Sequence, residues 1–159
     1  MLRPGVRALL LILLTLLAAP SAPAIEITLF LSRPAPTEVW KTGVGAAITS
    51  TWFHLLDLEG EAAKQPLESG DGSLVSFSAS ALLAPPVGRF TPYGGLGVGL
   101  FRQTLVGSSD TGTLHCLVLG VKVKLGLLVL KGDFRDYSQS GTPLALLDKR
   151  FSFGGGVSF

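Results

Sequence analysis

Apolar and small or polar residues alternate along most of this chain with a period of two. The final segment is the clearest case: Phe151, Phe153, Gly155, Val157 and Phe159 take one parity, and Arg150, Ser152, Gly154, Gly156 and Ser158 the other. A strand sends successive side chains to opposite faces, so this pattern predicts a two-sided strand. Val121, Val123 and Leu125 stand against Gly120, Lys122 and Lys124, and Val75, Phe77, Ala79, Ala81 and Leu83 stand against Ser76, Ser78 and Ser80. Between Phe90 and Thr104, Pro92, Leu96, Val98 and Leu100 oppose Thr91, Tyr93, Gly95, Gly97, Gly99 and Gln103. The pattern predicts eight strands, near residues 25–32, 38–49, 51–63, 73–84, 90–104, 113–125, 127–138 and 149–159. Short turns, 85–89 and the one around Gly126, fall at one end. Longer polar connections, 63–72, 105–112 and 139–148, fall at the other, with a short Pro-rich link at 33–37.

The segment before the first strand has a different character. In MLRPGVRALLLILLTLLAAPSAPA, Arg3 and Arg7 precede an apolar run from Ala8 to Ala19, and Ala22-Pro23-Ala24 is a small-x-small site. The run is short of the ~20 residues of a spanning helix, and the order of parts is that of a secretory signal peptide. Cleavage is expected after Ala24, leaving residues 25–159 as one domain. From Ile25 onward there is no stretch of 18 residues free of charges and turn formers, which argues against a helical span.

Charge then decides which face is which. The chain has 159 residues with 13 Lys plus Arg, 11 Asp plus Glu and only 15% charged residues, beside 20 Gly. Loss of Arg3 and Arg7 with the signal would leave 11 basic and 11 acidic residues, no footprint for nucleic acid. One Cys excludes internal disulfides and multi-cysteine metal sites. The charges share the glycine- and serine-rich parity: Asp57, Glu59 and Glu61 with Phe53 and Leu55, opposite Trp52, Leu56 and Leu58, and Lys131, Asp133 and Arg135 opposite Leu128, Leu130 and Phe134. A soluble sandwich would put its charged face in water, and this one would be sparse. In a bilayer every backbone N–H and C=O must be paired internally, so strands cross only as a closed barrel. Eight strands of 9–11 residues need about 72–88 residues, which the domain accommodates. The expected fold is an all-β, eight-stranded antiparallel up-and-down transmembrane barrel, and a secreted soluble sandwich is the alternative.

Three stretches carry a family resemblance: FTPYGGLGVGLFRQ (residues 90–103), VLGVKVKLGLLVLKGDFRDYS (118–138) and RFSFGGGVSF (150–159). They resemble the small outer-membrane β-barrel superfamily with OmpA-like and OmpX-like members. The resemblance implies an outer-membrane protein of a Gram-negative-type bacterium. It also implies that Phe151, Phe153 and Phe159 form the terminal signal read by the barrel-assembly machinery, with periplasmic chaperones and outer-membrane lipid as further partners. The chain departs from the OmpA pattern in ending at the barrel, which leaves cell-wall anchoring unsupported.

On this reading Asp57, Glu59, Glu61 and Asp133 face Lys122, Lys124, Lys131, Arg135 and Arg150 across a narrow lumen. Pairing would satisfy charges that are costly alone, and eight-stranded interiors are about wide enough for side chains to fill, so a salt-bridged plug is expected over an ion-conducting pore. The glycines at 94, 95, 97, 99 and 154–156 are expected to leave room for bulky luminal side chains. Trp52, Phe90, Tyr93 and Phe159 at the short-turn side, and Trp40, Phe101, Tyr137 and Phe151 at the loop side, are expected to form interfacial girdles. Trp40 and Trp52 share the lipid parity, and His54 beside Trp52 reads as interfacial.

A lipid-modifying enzyme would need a Ser nucleophile, a His base and an acid at the outer rim. Such a triad can be drawn only loosely, from His115 at the start of its strand with Ser108 and Asp110. Cys116 and His115 are neighbours in a strand and point apart, so they make no metal site. The expectation is a non-enzymatic barrel with no cofactor and no nucleic-acid partner, working through structure or through a loop ligand that the sequence does not identify.

Overall fold

The computed structural model describes residues 24–35, 40–68, 70, 72–105, 108–140 and 147–159. The signal segment lies outside the described residues, apart from Ala24. Eight strands follow in order: β1 (Ala24–Ala35), β2 (Gly43–Trp52), β3 (Leu56–Pro66), β4 (Gly72–Leu83), β5 (Phe90–Leu105), β6 (Ser108–Leu125), β7 (Leu128–Ser140) and β8 (Lys149–Ser158). Each pairs antiparallel with the next, and β8 returns to β1, closing the barrel. The seam is completed by Phe159, whose N–H donates to the Ile25 carbonyl at 2.8 Å while the Ile25 N–H donates to the Phe159 carbonyl at 3.2 Å. Closure leaves no unpaired strand edge, the condition for β-structure in hydrocarbon. No helix occurs among the described residues.

Strand parity sorts the side chains as the alternation requires. Ile27, Leu29, Leu31, Ile48, Phe77, Leu96, Leu100, Leu119, Leu130 and Phe153 are exposed on the outside, with Glu26, Thr28, Thr49, Glu59, Ser80, Lys122, Arg135 and Arg150 buried within. Each strand carries about four to six consecutive apolar or small outward positions before its first strongly polar one. At ~3.4 Å per residue and a tilt near 40–45°, this makes a belt roughly 25 Å tall, the height of a bilayer's hydrocarbon.

Three expectations need correction. The first concerns the β2–β3 turn, which lies at Phe53 and His54 rather than near residue 50. Both take left-handed backbone angles (φ 52° and 58°), and the Leu55 N–H donates to the Trp52 carbonyl at 3.2 Å. A tight hairpin needs positive φ here and usually takes it from Gly or Asn, so this turn has no compositional signal. His54 is therefore a turn residue.

The second concerns the loop end. β3 runs on to Pro66, β5 reaches Leu105 and β6 begins at Ser108, so half of the connection expected at 63–72 and most of that expected at 105–112 is strand. Leu105 pairs with Ser108, and only residues 106 and 107 separate the two strands. Ser108–Thr113 has no apolar alternation to mark it, but ladder hydrogen bonds are made by backbone and form regardless. Most of the third expected loop, 139–148, lies outside the described residues; β7 ends at Ser140 and β8 begins at Lys149.

The third concerns the girdles. Trp52, Phe90, Phe151 and Phe159 are exposed at the barrel's exterior, whereas Trp40 (2% exposed), Tyr93, Phe101 and Tyr137 are buried in the lumen. Trp40 precedes β2 and bridges to Leu67, so strand parity does not govern where it points.

Candidate functional site

The lumen is filled by two chemistries. The lower and middle parts hold ion pairs built by strands on opposite walls. Nearest the short-turn end, Lys122 Nζ on β6 lies 3.0 Å from Glu26 and 2.6 Å from Asp57, and Lys124 Nζ lies 2.6 Å from the other Glu26 oxygen. In the middle, Glu59 on β3 accepts from Lys131 and from Arg135, the latter at 2.5 Å, while Thr49 donates to it at 3.0 Å. Arg135 also reaches Glu61 at 2.9 Å and Asp133 at 3.3 Å. Above them, Arg150 on β8 holds Glu61 at 2.6 Å. Two carboxylates (Glu26, Asp57) thus meet two cations (Lys122, Lys124) in the lower cluster and three (Glu59, Glu61, Asp133) meet three (Lys131, Arg135, Arg150) in the middle one, so each cluster is formally neutral.

Aromatic rings wall this network. Tyr93 donates to Asp133 at 3.2 Å and carries the Lys131 ammonium 5.2 Å over its ring; Phe30 and Tyr137 flank the Arg150 guanidinium at 5.3 and 5.5 Å. Each such contact adds a cation–π attraction where water is scarce. Glycine makes the room. A Cβ on Gly120 would strike the Tyr93 ring, and one on Gly45 would strike the Phe30 ring, so both rings are seated against bare backbone.

Toward the loop end the filling turns apolar. A buried apolar cluster runs from Leu82 and Ala84 near the short-turn end through Val118 and Cys116 to Leu74, Leu114, Phe101, Tyr137, Trp40, Leu67 and Leu147 at the loop end, where Leu105 packs against it. Level with Leu74, its register partner, Gln65 donates to Ser32 at 2.6 Å.

All nine charges named from sequence lie in the lumen, divided between the Lys122 cluster and the Arg135 cluster. Sequence reading missed Glu26, although its signal is plain in Ile25, Ile27, Leu29 and Leu31 against Glu26, Thr28 and Ser32. Trp40, Tyr93, Phe101 and Tyr137, expected in the girdles, belong to the lumen. Phe151 and Phe153 alternate outward on β8, and Phe159 ends the seam with 74% of its surface exposed.

The loosely drawn triad does not assemble. His115 lies seven residues into β6 and faces outward, whereas Asp110 lies on the opposite parity near the loop end, as does Ser108. The outward neighbours of His115 on β7 are Ser138, its direct register partner, and Asp136, one step along the same face. They border an exterior depression of about 930 Å³, floored by Gly60, Ala79 and Ala81 and walled by Leu96, Val98 and Leu117. Cys116 is a free, buried thiol on the luminal side.

No family model matches this chain, and no curated protein sequence matches it. Solved structures do. Neisserial surface protein A superposes with a TM-score of 0.61 at 15% identity, covering 86% of this chain and 94% of that one. The N-terminal β-barrel domain of Pseudomonas aeruginosa OprF gives 0.59 at 18% identity, covering 86% and 97%. This chain has the fold of a small eight-stranded outer-membrane barrel. The outer membrane enzyme PagL shares the architecture at a TM-score of 0.50 and 15% identity, covering 84% of this chain and 98% of that one. The outer-membrane barrel fold thus serves both enzymes and proteins not described as such, and role has to be argued from the lumen and the surface.

Proposed function

We propose that this chain is an integral outer-membrane barrel with a sealed lumen, which acts structurally and through its loop-end surface and is neither a pore nor an enzyme. The filled lumen carries this reading. Opposite charges balance five against five in the lower and middle parts, and the apolar cluster around Trp40, Leu74 and Leu114 closes the loop end. An ion entering would have to break buried pairs and then cross an apolar layer. In this reading a signal peptide cleaved after Ala24 exports the chain. Periplasmic chaperones deliver it, the assembly machinery reads Phe151, Phe153 and Phe159, and the segment between Ser140 and Lys149 offers a surface to an extracellular ligand.

Planar-bilayer recording of the refolded barrel tests the seal. The expected trace has no discrete steps at moderate voltage. Steady conductance that is abolished by Glu59→Ala would establish the pore instead.

A second reading rests on one observation, the outward His115, Asp136 and Ser138 beside an exterior apolar depression. That set contains a base, an acid and a hydroxyl on one face, the parts of an acyl-transfer centre. Deletion of the gene should leave the host's lipid acylation unchanged; a change restored by wild type but not by His115→Ala would favour the enzyme.

A further inference from the structure

The two rims of the outer surface differ in charge. At the short-turn end the last outward strand residues are Ile25, Trp52, Leu56, Leu83, Phe90, Leu125 and Leu128, all apolar. At the loop end the apolar stripe of four strands stops at a cation: Arg33 on β1, Lys64 on β3, Arg102 on β5 and Lys149 on β8, each exposed. One strand, β7, stops at an acid, Asp136. None of the four cations is ion-paired with a carboxylate among the described residues, while every luminal cation is. Unpaired, outward and at the upper edge of an apolar belt, these side chains can lay their aliphatic stems on hydrocarbon and lift their charges to the head-group layer.

Lys64 and Arg102 are positioned as a pair. Both are in register with Val75, one on each side of it, so their strands stand two interstrand spacings apart, about 9–10 Å. Long side chains from both can converge on one anion over Val75. Thr111, in register with Arg102 on its other side, adds a hydroxyl. Directly below, the outer wall has a groove of about 380 Å³ lined by Val75, Phe77, Leu100 and Thr113, with Arg102 at its rim. A free phosphate would use the cations and leave the groove bare. A phosphorylated lipid uses both, its chain against Phe77 and Leu100 and its phosphate between Lys64 and Arg102, where guanidinium geometry favours bidentate phosphate contact.

We propose that Lys64 and Arg102, with the groove over Phe77 and Leu100, form a binding site for a phosphate-bearing acylated lipid of the leaflet at the loop end. The proposal rests on the outer-membrane reading above. Orientation follows from it, because the outward cations gather at the loop-end rim, whereas the short-turn rim offers Arg89.

The test is native mass spectrometry of the refolded mature barrel in non-ionic detergent, titrated with diphosphorylated lipid A and with its fully dephosphorylated form. Every sample is first checked for a mobility shift on boiling in SDS, so that failure to form a barrel, which would sink the membrane reading itself, is seen separately. Wild type should bind the phosphorylated lipid at least tenfold more tightly, and the preference should shrink with added salt. Lys64→Ala/Arg102→Ala should lose most of that preference, whereas Arg89→Ala, an exposed cation at the opposite rim, should keep it. Equal binding of the two lipids by wild type would overturn the proposal without any variant. So would equal losses in the Lys64/Arg102 and Arg89 variants, which would mean non-specific charge attraction.

Discussion

The two halves of the lumen solve the same problem, filling a tube too narrow for water to be useful, by opposite means. Around Glu59, Glu61, Arg135 and Arg150 the filling is ionic, directional and interdependent, and each member is tolerable only because its partners are present. Around Trp40, Leu74, Phe101 and Leu114 it is apolar and non-directional, so losses there scale with the volume removed. One half is sensitive to which atom is lost, the other to how much is lost.

The largest expected effect follows from that sensitivity. Arg135→Met should destabilise the barrel by about 3–5 kcal/mol in urea titrations of the folded protein, because three carboxylates lose a shared cation. Adding Glu61→Gln should recover on the order of 1 kcal/mol or more, since the network returns to neutrality. Strict additivity of the two would mean the lower half is not a coupled network.

In the apolar half, Leu74→Ala should cost about 2–3 kcal/mol, and no second substitution of a charged residue should rescue it. Rescue by Arg135→Met would erase the distinction between the halves. A smaller effect is expected where the ionic half meets water. Lys124 is 36% exposed, and Glu26 keeps Lys122 in its absence, so Lys124→Ala should cost below about 1 kcal/mol. The smallest is a gain outside both halves: His54→Gly should stabilise by up to about 1 kcal/mol by relieving a left-handed residue in the β2–β3 turn.

The strands and the luminal charges were legible because both are written as parity, a property that each residue carries whatever its partners. Asp57, Glu59, Lys131 and Arg135 could be placed inside without knowing what they touch. What parity cannot mark is where it stops applying. Trp40 lies outside β2, so its even number said nothing about its direction, and Phe53-His54 turns the chain without a turn-forming residue. The added length of β6 at Ser108–Gly112 is likewise silent, because a ladder can be built from serine and glycine backbone as well as from valine. Which carboxylate meets which cation depends on how strands on opposite walls are staggered, a property of the closed ring and of no single segment.

That last dependence bears on how the barrel is made. The luminal pairs join strands far apart in the chain: Glu26 on β1 meets Lys122 on β6, Glu59 on β3 meets Arg135 on β7, and Glu61 on β3 meets Arg150 on β8. Neighbouring strands therefore cannot neutralise one another as they zip together. A half-built sheet pushed into hydrocarbon would expose a row of naked charges, at a cost no hairpin recovers. The contacts that remove the cost close across separations of 65 to 96 residues, the kind of long-range pairing that slows folding. Curling before or during insertion is therefore the lower-cost order, because Glu26, Glu59 and Glu61 meet their cations only once β6, β7 and β8 have arrived.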